Sequence, residues 1–399
     1  MGCCVAKSSA RVIPHCKEPL HQVVQPPVDV ASSSSGDKRG SPRVGGKNEP
    51  ALRGAAADPC GRPTWEQFTS FETYIFDCDG VIWGIDKADT ATSVTTINYL
   101  IGLGKRVMFI TNNSNKRRAE FLKQLESKGI VFTNRTMEEK LGMMISASYT
   151  TAKYLQGQGL KHPFVIASAT GLLEELRLAG VTQYFATVDD KGVTDPTFTN
   201  PSSLPYLEIA NIVQAHPEVD SIVMGWDDAL TARKLATAVN FIRFHEDAHK
   251  DTEGFKPLPI VSCSGDASGA LGTANVENKP FKVRAVGNGA MAESLSRCFD
   301  PPREWVDMGK PSDSLLALLA GPAYGVDVSK ALMVGDTLQT DIVFGNRGKM
   351  STLLVFTGVT TKLELEEAQT LDDPRRLPTY AVSKLGFFVD QGKIPLATA

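Results

Sequence analysis

YIFDCDGVIWG, residues 74–84, runs a short aromatic and apolar segment straight into two carboxylates one residue apart, Asp77 and Asp79, followed by a glycine. In an extended segment side chains alternate, so the two acids leave the end of a strand on the same side, separated by Cys78. They can then converge on one site. Open parallel sheets bind ligands outside the carboxyl ends of their strands, and Gly80 lets the backbone turn sharply enough for a ligand to approach. A helix-capping turn and a calcium loop are the plain alternatives. The calcium loop fails by inspection: counted from Asp77, Val81 and Ala88 fall where oxygen ligands are required.

Outward from this stretch, short apolar runs alternate with amphipathic ones from residue 65 onward, the signature of strand-helix-strand units and a parallel sheet. Strands are predicted at 74–76, 106–110, 164–167, 221–224, 259–262, 331–334 and 352–356. Helices are predicted at 91–104, 115–129, 145–155, 171–179 and 231–244. Residues 1–63, rich in Ser, Gly, Ala and Pro, show no sustained apolar periodicity and read as a disordered leader.

Two more predicted strands end in groups that suit an anion and its counter-ion. The second runs into TNNSN, placing Thr111, Asn112 and Asn113 at the same sheet edge, where hydroxyl, amide and backbone N–H groups suit a phosphate. Ordinary turn chemistry also favours Asn and Ser there. In MGKPSDS, Lys310 precedes Pro311, a residue suited to the first turn of a helix, so its ammonium lies near a helix N-terminus. ALMVGDTLQTDI ends a third strand at Asp336, with Asp341 at the start of a helix. A third strand-end acid completes an oxygen-rich site for a hard cation, magnesium above all.

The ordered set DCDGVIW, TNNS, GKPS and GDTLQTDI resembles the four signature motifs of the haloacid dehalogenase superfamily of phosphotransferases, over nearly everything from residue 65 onward. It looks most like the branch of phosphoglycolate phosphatase, pyridoxal phosphate phosphatase and 4-nitrophenylphosphatase. The resemblance implies an α/β fold: a Rossmann-like parallel-sheet core with an inserted α/β cap of the larger, C2 type. It divides the chain into a leader (1–65), a first half of the core (66–157), the cap (158–303) and a second half of the core (304–399). It also implies a mechanism. Asp77 would attack phosphorus, and Asp79 would serve as general acid and then base. Magnesium would be held by the carboxylates of Asp77 and Asp336 and the carbonyl of Asp79. Thr111, the Asn112 backbone, Asn113 and Lys310 would bind the phosphate, with Asp341 orienting Lys310 or a metal-bound water from behind. The cap loop holding Ser264 and Asp266 would read the leaving group of a small phosphorylated metabolite. That loop departs from the family's Thr-Asn-x-Asp pattern, reading Ser262-Cys263-Ser264-Gly265-Asp266, and no histidine follows it as in pyridoxal phosphatases.

A rival motif is His245-Glu246-Asp247-Ala248-His249, the H-E-x-x-H spacing of zinc metalloproteases. It closes a predicted helix and runs into charged KDTEG with no third histidine after it, so a solvated helix end is the better account. A catalytically silent, membrane-tethered binding protein is the other alternative.

Composition excludes further classes. A net charge of -3 gives no basic field for nucleic acid. The apolar runs are too short to cross a bilayer, and seven cysteines without paired-motif spacing fit a reducing, cytoplasmic setting. The start, Met1-Gly2-Cys3-Cys4, allows two readings: myristoylation of Gly2 with palmitoylation of Cys3 and Cys4, giving a peripheral membrane anchor, or an unmodified tail. The sequence also allows a homodimer.

Overall fold

The computed structural model describes residues 60–199, 206–277, 279–371 and 373–395. Gly2, Cys3 and Cys4 lie outside the described residues. In chain order the strands are β1 (Thr73–Asp77), β2 (Arg106–Thr111), β3 (Met144–Ser146), β4 (Pro163–Ile166), β5 (Phe185–Ala186), β6 (Ser221–Met224), β7 (Ile260–Ser262), β8 (Ser268–Val276), β9 (Lys279–Val286), β10 (Trp305–Asp307), β11 (Ala331–Gly335), β12 (Ser351–Val355) and β13 (Tyr380–Val382).

Six of them form one parallel sheet in the order β13-β12-β11-β1-β2-β3. From β1 the chain winds outward through β2 and β3; from β11 it winds the other way through β12 and β13. The reversal places β1 and β11 side by side at the switch point, where parallel sheets open a crevice at their carboxyl ends. The sheet is buried on both faces, which is why its strands read as continuous apolar runs. Tyr74, Phe76, Val107, Phe109, Leu332 and Val334 pack on one face under helices Lys87–Gly102 and Arg118–Ser127. Ile75, Met108, Ile110 and Met333 pack on the other with Leu315 and Leu319 of helix Asp313–Ala320.

Between β3 and β11 the chain builds a second parallel sheet, β10-β7-β6-β4-β5. It too is covered on both faces, by Phe241 and Ile242 of helix Ala232–His249 on one side and Leu172, Leu173 and Leu176 of helix Gly171–Leu178 on the other. The α/β core with an inserted α/β cap is therefore as the sequence implies. An antiparallel hairpin, β8 with β9, follows the end of β7.

Two distant pairings mark where the cap sheet and the core run. β10 pairs with β7, so the second sheet runs to Asp307. Ahead of β1, Gly61 O accepts from Ala381 N at 3.1 Å, and Thr64 with Gln67 forms a capping box on helix Trp65–Thr69. Nothing local marks either limit, because a three-residue strand and a Gly-Pro lead-in acquire their structure from distant partners. No described helix is long and apolar enough to cross a membrane.

Candidate active site

β1 ends on Asp77, which is buried beside β11 and β2. Its Oδ1 is ion-paired with Lys310 Nζ, which also meets Asp341 Oδ1 at 2.7 Å and donates to Ile110 O at 3.3 Å. Asp341 Oδ2 in turn accepts from the backbone N–H groups of Asp336 at 3.0 Å and Thr337 at 3.1 Å. Asp341 therefore spans the turn after β11, one oxygen on the lysine and the other holding the backbone that carries Asp336. Its own element is a π-helical turn, Leu338–Ile342, leading into helix Val343–Arg347.

Asp336 is seated by a loop the sequence reading did not single out. Val359 N donates to its Oδ2 at 2.5 Å, and Thr360 N to its carbonyl at 3.0 Å. Gly80 and Gly358 close over the carboxylate from two sides: a Cβ on either would overlap Asp336 Oδ2, and Gly80 has φ +81°. Thr357 Oγ1 donates to Gly80 O at 2.6 Å, locking the two glycine loops together. The signal available in the sequence was FTGVT just past a strand end, the same position in its unit as DGVIW.

Three buried carboxylates against one ammonium leave two negative charges in excess. The carboxyls respond accordingly. Burial pushes Asp77 well above the usual carboxylate range, Lys310 pulls it back, and Asp341 adds like-charge repulsion. Burial and then Asp341 carry Asp336 up to about 7. Burial alone would lower Lys310, but Asp341 and Asp77 hold it above its ordinary value. Asp77, Asp336 and Asp341 each offer an oxygen within 4.8 Å of the others, a hard-donor cluster whose excess charge one divalent cation would neutralise.

Asp79 opens to solvent at the edge of this cluster. Its Oδ1 accepts from Trp83 Nε1 at 2.9 Å and its Oδ2 from Thr111 Oγ1 at 3.4 Å. Desolvation by the surrounding protein raises its pKa, opposed by those two bonds and by Lys310. Thr111 Oγ1 also accepts from Asn113 N at 3.1 Å, while Asn113 Oδ1 caps Asn115 N at 2.9 Å. The Asn112 side chain turns toward the segment that carries Lys310 and toward the cap loop. Its Oδ1 accepts from Lys310 N at 2.7 Å, and its Nδ2 donates to Lys310 O at 3.0 Å and to both oxygens of Asp266 at 3.1 Å. The amide is a brace between the lysine's backbone and the cap loop.

Asp266 thus meets the core through Asn112. Ser264 is buried, and burial raises the Asp266 carboxyl while Asn112 lowers it. Asp307, which ends β10, is pushed up to about 7 by burial, with Gly309 N donating to it at 2.8 Å and Asp266 adding repulsion. Pro311 is not in a helix: the Lys310–Pro311 peptide is cis, and the helix begins at Asp313 behind the Ser312 cap.

The HEDAH stretch ends helix Ala232–His249. Glu246 is ion-paired with Arg303, and His245 Nε2 lies 3.3 Å from Lys256 O. Among the described residues the one His, Cys, Asp or Glu cluster able to hold a metal is the aspartate set. Glu246 is thus engaged by Arg303, and among the described residues no third ligand joins the two histidines.

Comparison with known proteins agrees with this geometry. The haloacid dehalogenase-like hydrolase model matches residues 74–182 and the HAD-hydrolase-like model residues 307–386. Phosphoglycolate phosphatase 1A, chloroplastic, of Arabidopsis thaliana is 31% identical over 323 residues, covering 80% of this chain and 77% of that one. The chain belongs to the haloacid dehalogenase-like hydrolases. A 4-nitrophenylphosphatase of Schizosaccharomyces pombe is 28% identical over 80% of this chain and 94% of its own. A solved p-nitrophenyl phosphatase from Archaeoglobus fulgidus shares the fold, with TM-score 0.56 and 22% identity over 81% of this chain and 99% of that one. As a haloacid dehalogenase-like phosphatase the chain is a phosphomonoester hydrolase of small phosphorylated substrates, and hydrolases of this kind use a divalent metal ion.

Proposed function

We propose that this enzyme is a magnesium-dependent phosphatase that hydrolyses a small phosphorylated metabolite, phosphoglycolate in first place, through an aspartyl-phosphate on Asp77. The observation that carries the reading is the setting of Asp77: a buried strand-end carboxylate touching Lys310, within reach of Asp336, one residue from the more open Asp79.

In the first half-reaction an Asp77 oxygen bonds to phosphorus while the ester P–O bond breaks and Asp79 gives its proton to the departing alcohol. In the second, Asp79 takes a proton from water, whose oxygen bonds to phosphorus as the acyl-phosphate bond breaks, releasing phosphate. Lys310, Thr111 and the backbone N–H of Asn112 hold the phosphoryl oxygens, and Asp341 keeps Lys310 in place. The Asn112 side chain contributes indirectly, by fixing the lysine's backbone. Magnesium, held by Asp77, Asp336 and the carbonyl of Asp79, would supply the positive charge that lets one anion approach another. The cap loop at Ser264 and Asp266 selects the leaving group, and the lack of a histidine after Asp266 speaks for phosphoglycolate over pyridoxal phosphate.

The test is hydrolysis of 4-nitrophenyl phosphate and phosphoglycolate by the intact chain with and without magnesium. Asp77→Asn is expected to fall to background, and beryllium fluoride to bind the parent and not the variant. Retained turnover in the variant would exclude Asp77 as nucleophile. We further propose that acylation of Gly2, Cys3 and Cys4 tethers the enzyme to the cytoplasmic face of a membrane, which incorporation of a myristate analogue, lost in Gly2→Ala, would report.

A further inference from the structure

Asp79 has two opposite duties in this reaction, and each needs one oxygen to face the reacting atoms. The structure shows what holds the other. Trp83 Nε1 donates to Asp79 Oδ1 at 2.9 Å. The indole belongs to the same buried apolar cluster as Phe76 and Ile82, and the residue is only 8% exposed. Its backbone is fixed as well: Gly80 N donates to Trp83 O at 2.7 Å, Ile82 N to Cys78 O at 2.9 Å and Trp83 N to Cys78 O at 3.2 Å. The acid and the tryptophan are thus the two ends of one closed turn, anchored at one side in the strand that carries Asp77.

An indole N–H is a donor with no acceptor capacity. Whatever the charge on Asp79, the bond therefore favours the oxygen that is the stronger acceptor. In the acid form the carbonyl oxygen is the stronger acceptor, so the bond from Trp83 at 2.9 Å favours the proton on Oδ2, to which Thr111 Oγ1 donates only at 3.4 Å. A carboxylate otherwise rotates about its terminal bond at little cost, so without the indole the proton could be presented in either direction.

We infer that Trp83 is a positioning residue for proton transfer: its N–H pins Oδ1 of Asp79 so that the proton leaves for the alcohol, and returns from water, through Oδ2. The inference rests on the assignment of Asp79 as acid and base given above. No covalent step is added; the indole keeps its proton throughout.

The experiment compares kcat/KM of the parent, Trp83→Phe and Asp79→Asn on a series of phosphate esters running from 4-nitrophenyl phosphate to phosphoglycolate and glycerol phosphate. This parameter covers the steps through departure of the alcohol, so the shared hydrolysis of the acyl-phosphate drops out. The nitrophenolate leaves without a proton, whereas an alkoxide needs one. Trp83→Phe is expected to lose roughly tenfold or more on the alkyl esters and no more than about twofold on the nitrophenyl ester, a part of the larger factor that general acid catalysis supplies. Asp79→Asn should show the same bias in stronger form. Because each ratio is taken within one variant, any loss of folded protein cancels. An equal loss across the series in Trp83→Phe, beside a biased loss in Asp79→Asn, overturns the role of Trp83 alone. An unbiased Asp79→Asn, or a parent that hydrolyses none of the esters, shows that the reading of Asp79 is itself wrong, and the inference falls with it.

Discussion

Asp336 carries a charge that the fold on its own supports poorly. Burial and the neighbouring Asp341 push its carboxyl up to about 7, so the folded chain binds that proton more tightly than the unfolded chain, where the value is near 4. In the cation-free protein this group therefore favours folding most below about pH 4. The contribution fades as pH climbs toward 7, since above that the folded state must carry the charge. A divalent cation removes the penalty. At about pH 8, magnesium at a hundred times its Kd should stabilise the protein by about 2.7 kcal/mol, seen as a rise in Tm. Asp336→Asn should melt higher than the parent without the ion and gain little from it. A variant that responds to magnesium like the parent would mean that Asp336 does not hold the cation.

The loops at the strand ends turn these residues into a site. Phe356 to Thr361 follows β12, and its Val359 N–H and side-chain-free Gly358 form the seat of Asp336. Gly358→Ala would drive a methyl group into the carboxylate, where neither loop has room to give. Turnover is expected to fall at least about a hundredfold, as for a misplaced ligand of about an ångström, with KD for magnesium raised in titrations followed by intrinsic tryptophan fluorescence. Unchanged magnesium affinity would place the ion elsewhere. This loop also shows where sequence legibility stops. β1, β2 and β11 were readable because each is a buried apolar run broken by polar groups, and the run's end locates Asp77, Asp79, Thr111 and Asp336 without further help. Lys310 and Asp341 followed from the same motifs. Met144–Ser146, Trp305–Asp307 and Tyr380–Val382 were not readable as strands, because three residues carry no period and only a partner strand makes them extended. The hairpin of β8 and β9 is hidden for another reason: the nine residues of β8, SGALGTANV, are mostly small and form no apolar run. The Trp83–Asp79 bond and the brace made by Asn112 depend on which side chains meet in space, and nothing in their spacing announces it.

At the scale of the molecule, the two sheets meet through very short segments. Asp307 ends the cap sheet and Lys310 stands in the core site, three residues on, a stretch of chain that spans at most about 10 Å. Asn112 ties that same segment to Asp266, and Trp226 N, in the loop after β6, donates to Ser114 Oγ of the TNNSN turn at 3.2 Å. The cap therefore touches the catalytic loop at both ends, and what stiffens the cap should tune how substrates are held. The loop carrying Trp226 is itself held by an ion pair between Asp227 and Lys234, 2.6 Å apart with both side chains fully buried; the ammonium also donates to Ala229 O at 3.1 Å. Removing one partner of such a pair strands the other charge, whereas replacing both restores neutrality. Lys234→Met is thus expected to cost about 3–5 kcal/mol in urea denaturation, and the double change with Asp227→Asn to recover most of it. Since the pair lies in the cap, both variants should keep the chemistry of Asp77 and show their effect in KM for phosphoglycolate more than in kcat for 4-nitrophenyl phosphate. A Lys234→Met protein as stable as the parent, or one whose kcat falls on every ester while KM stays put, would separate the cap's stiffness from substrate binding.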